Sequence, residues 1–215
     1  MKTAVLFDFD GTLMNTEAAI LASYRHLFRR YRLEADFSQE KQLQVIGPPL
    51  IEIMPLFFPE QDAEKLVREY IAYQKKYARR RIRPYPYARE LLAFLHAESI
   101  PTGIISTRLS DSIESLLTEH RLRPFVDIVI GHDQVVHDKP DPEGILKAKR
   151  ETGCDRVLYL GDSPADILAG KAARAYTIAV LSNPKKEAVV LDAHPDAAVH
   201  TLQEAEAILR KELKR

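Results

Sequence analysis

Five short apolar runs punctuate the chain, each closed by small or polar residues. They are Ala4–Phe7, Ile100–Ser106 around Gly103-Ile104-Ile105, Phe125–Ile130, Val157–Gly161 and Tyr176–Leu181. Runs this short, without strict alternation, predict strands buried on both faces. Residues 87–98, 111–120, 142–152 and 164–173 carry apolar positions at helical spacing instead. From about residue 86 the pattern therefore alternates helix and strand. That alternation predicts right-handed βαβ units and a parallel sheet, to which the first strand also belongs. A last helix, about 201–213, is expected to cover the sheet.

Between the first run and the rest, the period is helical throughout. Thr16 can cap a helix with Ile20, Leu21, Tyr24, Leu27, Phe28 and Tyr31 on one face. Ser38 starts a second helix running towards Val45. Gly47-Pro48-Pro49 breaks it, and a short helix follows from Leu50. Pro59 precedes a long helix with Leu66, Val67, Tyr70, Tyr73 and Tyr77 at helical spacing. Arg83-Pro84-Tyr85-Pro86 then reads as an extended linker, because a residue before proline avoids the α region. The fold class is α/β: a Rossmann-like, three-layer parallel-sheet core with a helical cap inserted after the first strand. Residues 1–15 and 84–215 form the core and residues 16–83 the cap.

Composition narrows the partners. Lys+Arg and Asp+Glu are both 31 in 215 residues, so the formal net charge is zero. That gives no electrostatic case for nucleic acid or an anionic membrane. Arg79, Arg80, Arg81 and Arg83 form a basic cluster, read as cations at a helix C-terminus. The one cysteine, Cys154, rules out an internal disulfide and fits a reducing cytoplasm. Cys154 itself reads as structural. The N-terminal residues lack a signal pattern, and no apolar run approaches ~18 residues. A cytoplasmic monomer or weak dimer is expected.

The strand ends carry the candidate chemistry. Asp8 and Asp10 follow the first apolar run and lead into Gly11-Thr12. Side chains two apart on an extended chain point the same way, and ligands of open α/β sheets bind at strand C-terminal tips. Two close carboxylates repel and need an offsetting cation; hard oxygen donors suit Mg²⁺. Taken alone, the segment could equally be an Asx turn with Gly11 as turn residue. Two other strands end in Ser106-Thr107-Arg108 and in Gly161-Asp162-Ser163-Pro164-Ala165-Asp166. A loop supplies Asp138-Lys139-Pro140-Asp141-Pro142. An acidic pair, a third acid, a hydroxyl and a lysine suffice for metal-assisted phosphoryl transfer to a carboxylate.

Asp8-Phe9-Asp10-Gly11-Thr12, Ser106, Lys139 and Gly161-Asp162-x-x-x-Asp166 resemble, in order, the four motifs of the haloacid-dehalogenase-like (HAD) superfamily. The resemblance spans nearly the whole chain. Ile46-Gly47-Pro48-Pro49-Leu50 and Gly103–Arg108 look most like the phosphoglycolate phosphatases and bacterial pyrophosphatases of that superfamily. The resemblance implies a central first strand in the order 5-4-1-2-3. It makes Asp8 the nucleophile of an aspartyl-phosphate route and Asp10 the acid and base for leaving group and water. Mg²⁺ would be held by Asp8, the Asp10 carbonyl and Asp162, with Asp166 behind it. Ser106 and Lys139 would hold the phosphoryl group, and Gly11, Thr107, Arg108 and Gly47 would contact substrate. Asn15 and Tyr87 depart from the pattern at the cap hinge, where the family often has an acid and a glycine.

Other readings compete. Ser163 can cap a helix with Pro164 at N1 and Asp166 at N3, so Asp166 could act structurally. Gly161-Asp162-Ser163-Pro164-Ala165 half-resembles a serine nucleophile elbow, but Pro164 cannot donate the N–H that an oxyanion needs. Ser110 and Asp111 are better cap candidates than Ser106. His132 and His137 read as loop residues. Gly47-Pro48-Pro49 is either a helix breaker or a substrate loop, and a β-branched residue at Gly47 is expected to crowd the turn. The leading function is a Mg²⁺-dependent phosphatase for a small phosphorylated metabolite, phosphoglycolate-like or pyrophosphate. A sugar phosphomutase of the same superfamily and a non-catalytic phospho-ligand-binding protein are the alternatives.

Overall fold

The computed structural model describes residues 2–214. Strand β1 (Thr3–Phe7) comes first, followed by a short β2 (Met14–Asn15). Helices α1 (Glu17–Arg30), α2 (Gln39–Gln44), α3 (Leu50–Phe57) and α4 (Ala63–Tyr73) follow, and the chain returns through β3 (Arg83–Pro84). The remainder runs α5 (Ala88–Ala97), β4 (Thr102–Ile105), α6 (Ser110–Glu119), β5 (Ile128–Ile130), α7 (Glu143–Thr152) and β6 (Arg156–Gly161). It ends with α8 (Pro164–Ala172), β7 (Tyr176–Val180), α9 (Glu187–Leu191), β8 (Ala197–Val199) and α10 (Leu202–Glu212). Two compact units result: residues 1–14 with 84–215, and residues 15–83.

In the larger unit six strands form one parallel sheet, ordered β5-β4-β1-β6-β7-β8. The central position of β1 and the order of its four flanking neighbours agree with the order that the family resemblance implied. Ala4, Leu6, Val157 and Tyr159 pack with Ile145 and Ala148 of α7 and Ala169 of α8. The alternate residues Val5, Phe7, Leu158 and Leu160 are fully buried too. Both faces of the central strands are thus covered, which explains why they read as continuous apolar runs. The smaller unit has its own core of Tyr24, Leu27, Phe28, Phe37, Met54, Phe58 and Leu66. Phe28 is its hub, with ring centroids 4.5 Å from Phe37 and 4.8 Å from Phe58.

Several boundaries differ from the sequence reading. The third strand shortens to Ile128–Ile130, because Arg123–Phe125 forms a 3₁₀ turn. The expected long helix after Pro59 starts at the Asp62 cap and ends at Tyr73. A π turn (Gln74–Ala78) and a 3₁₀ turn (Arg79–Arg81) follow, so Arg79, Arg80 and Arg81 lie on a tight turn rather than at an α-helix end, and Arg83 lies in β3. Thr16 holds the N-cap position of α1 but its side chain makes no cap bond; its carbonyl accepts from Ala19 and Ile20. Strand β8 and helix α9 were not foreseen, being three and five residues long. Tyr87, at the cap of α5, is left-handed (φ 70°), a conformation that a glycine adopts without strain.

One device recurs at the start of the strands. Asp127, Asp155 and Asp196 each stand just before a strand, and each accepts a backbone N–H from the neighbouring strand's beginning. Asp127 takes Thr102 N–H (2.7 Å), Asp196 takes Thr177 N–H (2.7 Å) and Asp155 takes Lys2 N–H (3.1 Å). Thr102 and Thr177 are fully buried, whereas Lys2 is exposed. Removing a partner from a buried donor costs its desolvation, about 1–3 kcal/mol. Asp127→Ala and Asp196→Ala should therefore each lower the unfolding free energy by that amount in urea melts. Asp155→Ala should cost well under 1 kcal/mol, since water can replace the carboxylate at Lys2. Equal losses in all three would contradict this account.

Candidate active site

β1 delivers Asp8 at its C-terminal tip, with its backbone N–H bonded to the Leu160 carbonyl of β6 (2.8 Å). The chain then turns sharply at Gly11, whose φ is +93°. A Cβ on Gly11 would lie 2.3 Å from Asp162 Oδ2, so this glycine provides both the left-handed turn and the room for Asp162. Gly161 likewise leaves room for Asp166, whose Cβ would be 2.2 Å from a Cβ added there. The tips of β1 and β6 can approach because two glycines leave them space.

Lys139 sits at the centre of the cluster. Its ammonium donates to Asp8 Oδ1 (2.6 Å), Asp166 Oδ1 (2.6 Å) and the Ile105 carbonyl (3.2 Å). All three of its donors are used. Asp166 both caps α8 and bonds Lys139. Its Oδ2 accepts from Ser163 N–H and Oγ, while Ser163 Oγ accepts from Asp166 N–H, which is a capping box. Its Oδ1 also accepts from the Tyr159 hydroxyl (3.0 Å).

Asp10 is held by a residue that the sequence could not pair with it. Arg108 donates from Nε and Nη2 to the Asp10 carboxylate, the closest contact being 2.9 Å, and from Nη1 to Ser112 Oγ (3.1 Å). This forked geometry fixes the carboxylate in plane and direction. Ser106 is buried, and its Oγ accepts the Arg108 N–H (3.2 Å). Thr107 lies between these two residues in the turn after β4. The expected caps Ser110 and Asp111 do not cap α6. Asp133 does so from a later loop, accepting Ser110 N–H (2.7 Å). His132, read as a loop residue, bonds Asp138 Oδ2 through Nδ1 (2.5 Å) and so braces the loop carrying Lys139. Gly47 lies in the helical unit. Its φ is +117° and nothing stands within 4 Å of an added Cβ, so backbone conformation, not crowding, calls for glycine there.

Burial raises Asp8 well above the carboxylate range; Lys139 opposes this, and Asp166, Asp162 and Asp10 reinforce it. Burial likewise pushes Asp162 up to about 7, against the pull of Lys186. For Lys139, burial is outweighed by Asp166 and Asp8, which hold it protonated. Carboxyl oxygens of Asp8, Asp162 and Asp166 lie within 4.8 Å of one another. Asp166 is already saturated by Lys139, Tyr159 and Ser163. The all-oxygen set, in which Asp8 and Asp162 are disfavoured as carboxylates until an offsetting charge arrives, fits a hard divalent cation.

A parallel α/β sheet ending in clustered aspartates, braced by a lysine, defines a class that the family comparison makes explicit. Residues 5–180 match the sequence profile of haloacid dehalogenase-like hydrolases, and the chain belongs to that family. Among its relatives, a protein named pyrophosphatase PpaX from Listeria monocytogenes is 33% identical over 98% of this chain and 97% of its own length. One of the same name from Bacillus velezensis is 34% identical over 83% of this chain and 82% of its own. A solved Bacteroides fragilis structure assigned to the haloacid dehalogenase-like hydrolases superposes with a TM-score of 0.86 at 30% identity, covering 95% of this chain and all of that one.

The Asp162 shift has a measurable consequence for the metal-free protein. Its pKa rises from an ordinary 3.8 to about 7 on folding. The folded state then holds a proton that the unfolded chain releases, so stability falls as pH rises between those values. The slope is at most about 1.4 kcal/mol per pH unit for each such proton. In EDTA, urea melts should show stability declining from pH 5 to 7, and Asp162→Asn should flatten that decline. An unchanged slope in the variant would refute the assignment.

Proposed function

We propose that this chain is a phosphatase acting on a small phosphorylated metabolite through an aspartyl-phosphate formed on Asp8. The observation that carries this reading is the buried Asp8 carboxylate at a strand tip, bonded to Lys139 and facing Asp162. Asp8, the Asp10 carbonyl and Asp162 would hold Mg²⁺. When bound, the ion supplies charge that offsets these acids and the phosphate. An Asp8 oxygen forms a bond to phosphorus as the bond to the leaving oxygen breaks, and Asp10 gives that oxygen its proton. Asp10 then takes a proton from water. The water oxygen bonds to phosphorus, and the bond to Asp8 breaks, returning its carboxylate. Lys139 keeps Asp8 oriented and offsets its charge, while Ser106, Thr107 and the backbone at Gly11 contact the phosphoryl oxygens. Arg108 orients Asp10 and is placed to meet the substrate anion.

Inorganic pyrophosphate is the substrate that the named relatives favour, with phosphoglycolate-like monoesters next. The choice of leaving group is assigned to the helical unit, including Gly47, because the candidate catalytic acids and lysine all lie in the other unit. Phosphate release from a panel including pyrophosphate, phosphoglycolate and sugar phosphates, with Mg²⁺ or EDTA, tests the reading. Turnover should stop in EDTA, return with Mg²⁺ and return poorly with Ca²⁺, whose looser shell does not impose a compact octahedron. Full turnover after rigorous metal removal would exclude the Mg²⁺ reading. A requirement for a sugar bisphosphate would favour the mutase instead.

Asp8→Asn should keep the fold and lose more than about a thousandfold in kcat, ~4 kcal/mol of barrier. The amide is nearly isosteric but a poor nucleophile. A loss below tenfold, on a substrate that the wild type hydrolyses with Mg²⁺, would exclude the aspartyl-phosphate route.

A further inference from the structure

A second lysine reaches the acid cluster, at Asp162. Lys186 Nζ stands 3.6 Å from Asp162 Oδ2, and the two side chains are only 14% and 9% exposed. Its position is built by the loop after β7. Ser182 Oγ donates to the Gly11 carbonyl (2.8 Å) and accepts from the Tyr85 hydroxyl (3.3 Å), which ties the loop to the Asp8–Gly11 turn. Lys186 N–H closes a turn on the Asn183 carbonyl (3.0 Å). On the far side, Val190 of α9 is buried with Ile167, Ala179 and Leu181. The loop therefore presents an ammonium to Asp162 instead of leaving it in solvent.

The two lysines differ in kind. Lys139 is hydrogen-bonded to two carboxylates and a carbonyl and is fixed. Lys186 lies within ion-pair range but beyond a hydrogen bond, so it offsets charge without being locked. Lys139 is committed to Asp8 and Asp166, and among the described residues Asp162 makes its ion pair with Lys186. Asp162 is also a carboxylate that the proposed Mg²⁺ would take. An ammonium and a divalent cation held against the same buried carboxylate repel each other.

We infer that Lys186 is a placeholder cation: it balances Asp162 while the site is without metal, and a divalent ion must displace it to bind. This deepens the metal-dependent phosphatase reading and rests on it. Lys186 is then a positioning residue that sets how readily the site loads, not a group that touches the reacting atoms. Its removal should strengthen metal binding, the opposite of what loss of a ligand does.

The test is metal binding without substrate, read by electron paramagnetic resonance of Mn²⁺ and by calorimetry with Mg²⁺. Circular dichroism confirms the fold of each variant. Lys186→Gln should bind Mn²⁺ about tenfold more tightly than the wild type. Lys185→Gln removes the same charge from an exposed neighbour and should stay within about twofold. Equal affinity in Lys186→Gln and the wild type, weaker binding in that variant, or an equal gain in Lys185→Gln would overturn the placeholder role. A wild type that binds neither ion would instead overturn the metal reading on which it rests.

Discussion

The rest of the site depends on a single buried ammonium. Lys139 joins Asp8 on β1, Asp166 at the head of α8 and the carbonyl of Ile105 on β4, so it ties together three elements far apart in sequence. Four aspartates are drawn to the ends of adjacent strands. Without an interior cation, burying Asp8 and Asp166 side by side would be prohibitive. With it, one pair is balanced internally, and the imbalance is left on the Asp8–Asp162 side. That asymmetry leaves the Asp8–Asp162 face as the one to which the proposed cation is assigned.

The geometry also explains why small residues surround the acids. Gly11 and Gly161 stand against Asp162 and Asp166, and neither could carry a Cβ without moving a carboxylate. The acids are thus positioned by what the backbone lacks as much as by hydrogen bonds. Asp166 shows how folding and chemistry share atoms: one oxygen completes a helix cap, and the other receives Lys139. Capping the helix and bonding Lys139 are not alternatives, because a carboxylate has two oxygens with separate acceptor sites.

The sheet was legible because strands buried on both faces leave continuous apolar runs, as Ala4–Phe7 and Val157–Leu160 do. Their spatial order was not in the periodicity; it came from the resemblance of the motifs. Ala197–Val199 escaped notice because three small residues at a sheet edge carry no such signal. Contacts between distant residues escaped for a different reason. Arg108 and Asp10 are 98 residues apart, and no local rule pairs them. The cap of α6 was misplaced because Asp133, 23 residues on, outcompetes the serine and aspartate in the helix's own first turn. Nothing local distinguishes Lys186 from its neighbour Lys185; the loop's tie to Gly11 and the ion pair with Asp162 do so only in the folded chain.

Two of these contacts, Arg108 with Asp10 and Lys186 with Asp162, share a feature: a loop brings a cation to a carboxylate named by the motifs. The motifs state which acids gather at the strand tips but, Lys139 apart, not what balances them. Three cations are brought in, from three different loops: Lys139 to Asp8 and Asp166, Arg108 to Asp10 and Lys186 to Asp162. Their holds grade from a saturated ammonium, through a planar fork, to a loose ion pair. The exchange of a metal and a phosphate dianion proposed for this site needs this range. If every acid were locked as Asp166 is, no oxygen would remain to receive a cation. If none were, the cluster would repel itself apart before substrate arrived.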